Sequence, residues 1–305
     1  MNITKEKNRK PLLLASVYAV CISLILSIIK GVIFFLTGST AVLATLVDSI
    51  IDVFVSGFLF YGIYYALRPA DEDHRHGHGK MEGLASFVQS IFMFGAGLFV
   101  IIKSIEKFLE PTDIQNHLLA ITILAISILL SASIIFVQRR VLKNNQSLIL
   151  EADSAHYKTD LFLNVSVILS LVISFLSGPN WIDPLVALFI AGYFFYTAIT
   201  IGRESINILM DRELSDEVRN QIAEITQGHE GILDFHDLRT RHCGMHYHIT
   251  MDVELDKTLT LENAHNIVRG LDKKIIKAFP QAEVVIHMDP EGDTDDLRHK
   301  DLRCS

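Results

Sequence analysis

The chain has 305 residues, half of them hydrophobic, and a formal net charge of −8 at pH 7. Its mean hydropathy of +0.35 is too high for an ordinary soluble domain. The acidic balance, with no basic arm, argues against a nucleic-acid-binding protein. Three scattered cysteines (Cys21, Cys243 and Cys304) form no CxxC pair, which argues against a disulfide framework and fits a reducing compartment for the polar parts.

Six apolar stretches are long enough to be transmembrane helices. They cover residues 11–36, 40–67, 81–108, 117–137, 152–176 and 184–201, with glycine- and proline-containing breakers between them. The basic segment 1–10 precedes an apolar run that is longer than the core of a signal peptide, so the first span is expected to be retained. The sequence therefore predicts an all-α, six-helix transmembrane domain over residues 11–205.

Basic residues are distributed unequally between the two sides of these predicted spans. One side has Lys5, Lys7, Arg9, Lys10, Arg68, Arg75, Lys80, Arg139, Arg140 and Lys143, whereas the other has only Lys103 and Lys107. Because short loops rich in Lys and Arg stay in the cytoplasm, both termini are predicted to be cytoplasmic.

The pattern changes after residue 205. Segments 215–227 and 263–279 have helical features, while the alternation over 245–255 and the apolar stretch 283–288 indicate strands. These elements predict a small cytosolic α+β domain over residues 206–290. The charged segment 291–305 is predicted to be disordered.

Two polar pairs lie inside the apolar stretches. Asp48 and Asp52 are four residues apart, as are His156 and Asp160, so each pair lies on one face of its helix. Acids at membrane depth normally mark an ion or proton path. Three carboxylates and one imidazole can complete the ligand shell of a divalent transition metal. Because these ligands must lose their protons to bind metal, the affinity of such a site for the metal falls as pH falls. The alternative is two independent helix–helix hydrogen bonds.

The segment between the second and third apolar stretches is also rich in metal ligands. Asp71, His74, His76 and His78 lie within eight residues that include a glycine. Such a segment can wrap a metal ion without ligands from elsewhere. The alternative is a solvated, charged loop that chelates metal by accident.

Candidate ligands in the C-terminal region are far apart in the sequence and can meet only by folding. They are His236, Asp252, His265, His287 and Asp289. A further group consists of His242, Cys243, His246 and His248, with His246, His248 and Asp252 on one strand face. For this further group the sequence favours an ordinary exposed polar face over a metal site.

These motifs resemble those of the cation diffusion facilitator family, in particular its bacterial zinc and ferrous-iron efflux branch. The resemblance extends from Leu12 to Pro290 and rests on the motifs at 47–52, 69–80, 151–160 and 236–241. It implies a Y-shaped homodimer in a bacterial inner membrane, with six spans per protomer and an αββαβ, metallochaperone-like cytosolic domain. It also implies that cytoplasmic metal is exchanged for incoming protons.

The resemblance further implies a role for each matched residue. The transport site would comprise Asp48, Asp52, His156 and Asp160. The loop site would comprise Asp71, His74 and His78. A two-metal site between the cytosolic domains would comprise His236, Asp252, His265, His287 and Asp289. Lys80 and Asp211 match residues whose salt bridges join the two membrane halves in similar proteins. Position 252 is histidine in some close relatives, and position 76 is often aromatic.

The expected activity is secondary active transport rather than enzymatic catalysis. Zn²⁺ is the first expected substrate and structural or regulatory ion, with Fe²⁺, Cd²⁺ and Mn²⁺ as alternatives. A membrane sensor or scaffold that binds metal without moving it is the competing hypothesis. An intramembrane metalloenzyme is disfavoured because no HExxH motif is present, and a primary pump because no GxxxxGK[ST] phosphate loop is present.

Overall fold

The structure is a computed structural model that describes residues 3–37, 40–109, 117–145, 147–177, 182–244 and 246–292. Within these ranges, six long helices come first in the chain: α1 (Ile3–Thr37), α2 (Thr40–Ala66), α3 (Met81–Leu109), α4 (His117–Leu142), α5 (Leu148–Ser177) and α6 (Ile182–Leu209). Their number and order agree with the six predicted spans. The chain divides into two compact units between Leu209 and Met210.

Four of these helices contain described segments that are long and apolar enough to cross a membrane. They are Lys10–Leu36, Ser49–Ala66, Met81–Glu106 and Ile121–Leu142. Large apolar side chains such as Phe35, Phe54 and Phe189 are largely exposed along the helices. Exposed apolar surface on this scale is unfavourable in water and suits lipid. The chain is therefore a multi-pass membrane protein.

Several helices are longer than the apolar stretches that predicted them. α1 begins eight residues before the first stretch, α5 begins at Leu148, and α6 continues to Leu209. Hydropathy marks only the part of a helix that lies in hydrocarbon. The additional turns of α1 and α6 contain charged residues, whereas the additional turn of α5 is mostly apolar. All three lie at the ends that the basic residues predict to be cytoplasmic.

Small residues allow close packing within the membrane unit, where α3 lies against α6. A Cβ atom at Gly97 would approach Phe194 Cβ to 3.1 Å, and one at Gly83 would approach Ile208 Cγ2 to 3.1 Å. Small residues are common at such interfaces because transmembrane helices associate through close contact. α5 packs against α2, α4 and α6, which brings the fifth predicted span beside the second.

The second unit has the predicted αββαβ order. It contains α7 (Asp216–Gln227), β1 (Asp234–Cys243), β2 (His246–Leu255), α8 (Leu261–Ala278) and β3 (Ala282–Pro290). The strands form a sheet in the order β1-β2-β3, with β1 antiparallel and β3 parallel to β2. The α8 crossover permits the parallel pairing. The predicted disordered segment lies outside the described residues from residue 293 onward.

One face of the sheet forms the core of the second unit. Alternate residues of β2, including Ile249, Met251 and Val253, are buried against α7 and α8 through side chains such as Ile222 and Leu271. Since successive strand residues point to opposite faces, the intervening residues of β2 lie on the other face. The polar ligands predicted from the sequence belong to that outer face.

Candidate functional site

The predicted intramembrane ligands meet where α2 and α5 are adjacent. His156 Nε2 lies 3.2 Å from Asp52 Oδ1 and 3.5 Å from Asp160 Oδ2. All three side chains are mostly buried, and donor atoms from all three lie within 4.8 Å of one another. The helical i, i+4 relation supplies the His156–Asp160 pair, while the packing of α5 against α2 supplies Asp52.

These separations suit a bound transition metal. Donors at about 2.0–2.2 Å from a tetrahedral ion are about 3.3–3.6 Å apart, close to the 3.2 and 3.5 Å separations around His156. One imidazole nitrogen carries at most one proton and cannot satisfy two carboxylates fully. A cation between the three groups would neutralise the two acids and use the nitrogen as a ligand. The arrangement favours a joint site over two independent helix–helix contacts.

Asp48 precedes Asp52 by one turn of α2. Its backbone belongs to the helix, but its side chain lies outside the described residues. Its assignment as the fourth ligand of the transport site stays a prediction.

A second buried polar network lies one turn before His156 on α5. Asp153 Oδ2 accepts a hydrogen bond from Gln138 Nε2 of α4 at 2.6 Å, and Ser56 Oγ of α2 donates to Asp153 Oδ1 at 3.5 Å. Ser56 Oγ also lies 2.7 Å from Tyr157 Oη. The network joins three helices and fixes the rotation of α5 that presents His156 to α2.

Sequence reasoning missed this network and one buried lysine. Asp153 stands inside the fifth apolar stretch, and an ionisable residue in such a place signals function by itself. The same signal applies to Lys30 of α1, which is buried and donates from Nζ to Ser49 Oγ of α2 at 2.6 Å.

We expect Gln138→Leu to destabilise the membrane unit. The substitution removes the 2.6 Å hydrogen bond to the buried carboxylate of Asp153. Leaving a buried acceptor underpaired costs on the order of 1–3 kcal/mol, and more for a charged group. Thermal unfolding of the purified protein in detergent should therefore show a lower midpoint than the wild type.

Gln89→Leu is the matched control for this substitution. Gln89 of α3 is 1% exposed, and among the described residues its amide atoms have no hydrogen-bond partner. Its replacement should leave the midpoint unchanged or raise it. Equal losses of stability in the two variants would contradict the role given to Asp153.

The predicted loop site is assembled around Asp71, between α2 and α3. Asp71 Oδ2 lies 3.2 Å from His78 Nε2, and Asp71 Oδ1 lies 3.4 Å from His74 Nδ1. His78 is buried, and its ring stands edge-on to Tyr65 near the end of α2 at 4.7 Å between centroids. Gly77 has φ +81°, which favours glycine in the intervening turn. The buried imidazole of His78 is thus held between Asp71 and Tyr65.

The carboxylate of Asp71 also holds this turn together. Its Oδ1 accepts hydrogen bonds from the backbone N–H of His74 at 2.7 Å and of Asp73 at 3.2 Å. The backbone hydrogen bond from His74 is the main cause that lowers the pKa of Asp71 below its ordinary value of 3.8. Ionised Asp71 therefore stabilises the turn above that value, and this contribution is lost as pH falls through the lowered pKa.

We expect the amide of His74 to be protected from hydrogen exchange in the wild type at pH 8 and equally at about pH 5, since Asp71 stays ionised throughout. Asp71→Ala removes the acceptor, so protection should be lost at both pH values. Glu72→Ala, which changes the neighbouring exposed acid, is the control. Loss of wild-type protection between pH 8 and about pH 5 would contradict the assignment of Asp71 as the ionised acceptor.

On the outer sheet face of the second unit, strand pairing brings distant ligands together. His236 pairs with Asp252, and Asp252 pairs with His287 on β3. His236 Nε2 lies 3.5 Å from Asp289 Oδ2 and 4.0 Å from Asp252 Oδ2. His287 Nε2 lies 3.1 Å from Asp289 Oδ1. Of the five predicted residues, His236, Asp252 and Asp289 thus form a potential metal cluster, with His287 beside it.

Glu254 is an additional acid that sequence reasoning missed. Its Oε1 lies 4.0 Å from His236 Nδ1. Glu254 follows Asp252 by two residues and pairs with Asp289, so the i, i+2 spacing along β2 could have identified it. A β-bulge between His236 and Arg239, with Asp237 at φ +50°, interrupts the pairing next to this cluster.

Three further predicted residues are placed elsewhere. His265 is exposed on α8 and does not belong to the described cluster of His236, Asp252 and Asp289. Lys80 Nζ donates to the carbonyl of Leu209 at 3.4 Å. Asp211 Oδ2 accepts from Arg241 Nη1 at 3.3 Å. The role of Lys80 and Asp211 in salt bridges that hold the two membrane halves of a dimer together stays a prediction.

Comparison with known proteins agrees with the division of the chain into two units near residue 209. Residues 16–210 match the family described as the cation efflux transmembrane domain, and residues 214–291 match the cytoplasmic domain of cation efflux proteins. The chain is 40% identical to the cation-efflux pump FieF of Shewanella oneidensis, over 91% of this chain and 93% of that protein. It is 36% identical to FieF of Pectobacterium carotovorum, over 91% and 92%.

Two of the similar solved structures each align with about a quarter of the chain. The metal-bound C-terminal domain of the CzcD transporter from Thermotoga maritima is 26% identical and covers 26% of this chain and 93% of that chain, with a TM-score of 0.25. A structure of CzrB is 28% identical and covers 26% and 99%, also with a TM-score of 0.25.

Proposed function

The chain belongs to the cation efflux family, and from this premise we propose that it exports divalent transition metal, with Zn²⁺ as first substrate, in exchange for protons. One observation carries the proposal. Asp52, His156 and Asp160 place two carboxylates and an imidazole within 4.8 Å of one another in apolar helices. Such a group has the ligand types and spacing of a transition-metal site.

The ligand set supports both the choice of metal and the coupling to protons. A mixed Asp and His set favours Zn²⁺ and Cd²⁺, leaves Fe²⁺ possible, and is less suited to Mn²⁺ than carboxylates alone. Metal binds only when His156 and the acids have released their protons. Protons and metal therefore compete for the same atoms, as an antiporter requires.

Transport would proceed by alternating access. Metal from the cytoplasm would bind Asp52, His156 and Asp160, with Asp48 as the fourth ligand. Rearrangement of the helices would then expose the site to the opposite side, where protons displace the ion. The Asp153 network on α5 keeps His156 and Asp160 facing Asp52 of α2 while the ion is bound.

The other two clusters are proposed to bind metal without carrying it across. The Asp71, His74 and His78 loop would hold a structural ion, and the outer-face cluster at His236 would hold regulatory ions. The cytoplasmic-domain family match supports a homodimer, in which His265 and His287 would complete the cytosolic site across the interface. Lys80 and Asp211 are proposed to form the salt bridges that hold the membrane halves of this dimer.

Location in a bacterial inner membrane, with both termini in the cytoplasm, is part of the same proposal. It is supported by the bacterial FieF relatives and by the basic residues concentrated on one side of the spans. This orientation puts the loop site and the second unit in the compartment from which metal is exported.

A cellular test separates an exporter from a membrane sensor. In a bacterial strain that lacks zinc export, the wild-type chain should restore growth in excess zinc and lower the cellular zinc content. Asp160→Ala should do neither, although it is inserted in the membrane in equal amount. A wild-type chain that binds zinc but leaves cellular zinc unchanged would favour the non-transporting sensor or scaffold.

A further inference from the structure

The outer face of the sheet carries a second set of metal ligands, at the opposite end from His236. Cys243 and His246 are directly paired across the antiparallel β1–β2 hairpin, and His248 is two residues further along β2. From His248 to Asp252 the strand advances by roughly 13 Å. This set is therefore separate from the His236 cluster on the same face.

The strand register decides which side chains can act together. Ile249, Met251 and Val253 point into the core, so Tyr247 shares their face while His246 and His248 lie on the outer face. Tyr247 accordingly packs near Phe279, with 6.4 Å between ring centroids. Cross-strand partners share a face, so Cys243 joins His246 and His248.

The same register excludes the fourth candidate ligand that the sequence suggested. His242 pairs with Tyr247, and its ring stands edge-on to that of Tyr247 at 5.2 Å between centroids. It belongs to the core face. The outer-face set is therefore one thiol and two imidazoles, all half-buried.

The backbone holds these three residues at metal-binding spacing. Directly opposite residues of an antiparallel pair have Cβ atoms about 5 Å apart. Cys243 and His246 are separated by two residues, which is within the spacing of paired cysteine ligands in structural zinc sites, and Gly244 in the turn has φ +63°. The donor atoms of the three side chains are not all within 4.8 Å of one another, so rotation about side-chain bonds would close the site.

We propose that Cys243, His246 and His248 form a further cytosolic metal site, for a thiophilic divalent cation such as Zn²⁺ or Cd²⁺. Glu283 pairs with His248 on β3 and offers a carboxylate for the fourth position. The nearby cation, Arg241, is ion-paired with Asp211 at 3.3 Å, which offsets its repulsion of a metal ion. A thiolate selects against Mn²⁺, Mg²⁺ and Ca²⁺, which prefer oxygen ligands.

Cobalt(II) bound to the full-length protein in detergent provides a selective probe. Cobalt bound to a thiolate has a sulfur-to-metal charge-transfer band in the near ultraviolet, and none of the ligands assigned to the other sites contains sulfur. We expect the band in the wild type and its loss in Cys243→Ser. It should persist in Cys21→Ser and in Cys304→Ser. Zn²⁺ should displace the cobalt and remove the band, whereas Mn²⁺ should not.

The histidines must also contribute if this is a built site. His246→Gln and His248→Gln should each weaken cobalt binding, measured from the band, by at least tenfold, because loss of even a residue that only hydrogen-bonds a metal ligand typically costs about that much. His242→Gln, on the core face, should not weaken it. Absence of the wild-type band would overturn the proposal. So would a band that disappears in Cys243→Ser but keeps its affinity in both outer-face histidine variants.

A second measurement needs no variant and remains decisive if substitutions disturb folding. The rate at which a maleimide modifies Cys243, followed by mass spectrometry of the wild-type protein, should fall at least tenfold when Zn²⁺ is added. Mn²⁺ should leave the rate unchanged, and Cys21 should show no slowing with either ion. An unchanged rate at Cys243 with saturating Zn²⁺ would overturn the proposal.

Discussion

Asp160→Asn is expected to reduce Zn²⁺ transport by at least about 100-fold without unfolding the protein. Asparagine keeps the shape of the side chain but removes the charge that, 3.5 Å from His156, helps to bind the ion. Removing even outer-shell partners of metal ligands typically costs about 10–100-fold in affinity or activity, so loss of a ligand should cost more. The measurement is the initial rate of Zn²⁺ entry into proteoliposomes, together with Zn²⁺ binding in detergent.

The matched control is Glu151→Gln, which makes the same chemical change at an exposed carboxylate near the start of α5. It should leave the rate and the binding unchanged. If Asp160→Asn kept a rate comparable to that of Glu151→Gln, Asp160 could not be a ligand of the transported ion.

His156→Asp is expected to shift the preference from Zn²⁺ towards Mn²⁺, with the ratio of their transport rates falling by at least about tenfold. The substitution replaces the only imidazole among the described intramembrane ligands with a carboxylate. Oxygen ligands suit Mn²⁺, whereas imidazole favours Zn²⁺ and its neighbours. Initial rates with each ion alone, at equal concentration, give the ratio.

The reciprocal variant, Asp160→His, tests the same reasoning in the other direction. A second imidazole should lower Mn²⁺ transport more than Zn²⁺ transport. A Zn²⁺/Mn²⁺ ratio that is the same in the wild type and both variants would show that selectivity is determined away from these ligands.

Local patterns explain why the intramembrane ligands could be recognised from the sequence. His156 and Asp160 form a pair through helical spacing alone, and an apolar surrounding makes each acid conspicuous. Asp52 reaches His156 and Asp160 only because α2 packs against α5. An acid in an apolar surrounding needs a partner, however, so contact between the two pairs could be expected from the sequence. The loop cluster at Asp71 could likewise be recognised from the sequence because its three ligands lie within eight residues.

The cytosolic cluster could not be assembled in the same way. His236, Asp252 and Asp289 meet only because β1 and β3 both pair with β2, one antiparallel and one parallel, with a bulge beside His236. A shift of one residue in either pairing would send ligands to the core face. Periodicity identifies a strand but not its partner or register, so the cluster does not follow from the sequence. The i, i+2 spacing places Glu254 on the same strand face as Asp252, but only the pairing with β1 and β3 brings it to His236.

The Asp153 network was missed for another reason. Gln138 and Ser56 are ordinary polar residues within their helices, and only the mutual rotation of α2, α4 and α5 brings both to the carboxylate of Asp153 and brings Ser56 to Tyr157. The rotation of a helix about its own axis, which decides which side chains face a neighbouring helix, is set by tertiary packing rather than by local sequence.

The most direct test of metal/proton exchange at the α2–α5 site measures both ions together. Proteoliposomes with a zinc indicator and a pH indicator inside, and an acidic lumen, should show Zn²⁺ entry accompanied by proton exit, and both should disappear in Asp160→Asn. Collapsing the pH gradient with an ionophore should slow Zn²⁺ entry. Zn²⁺ entry of equal rate with and without the gradient, or retained in Asp160→Asn, would contradict proton-coupled transport through Asp52, His156 and Asp160.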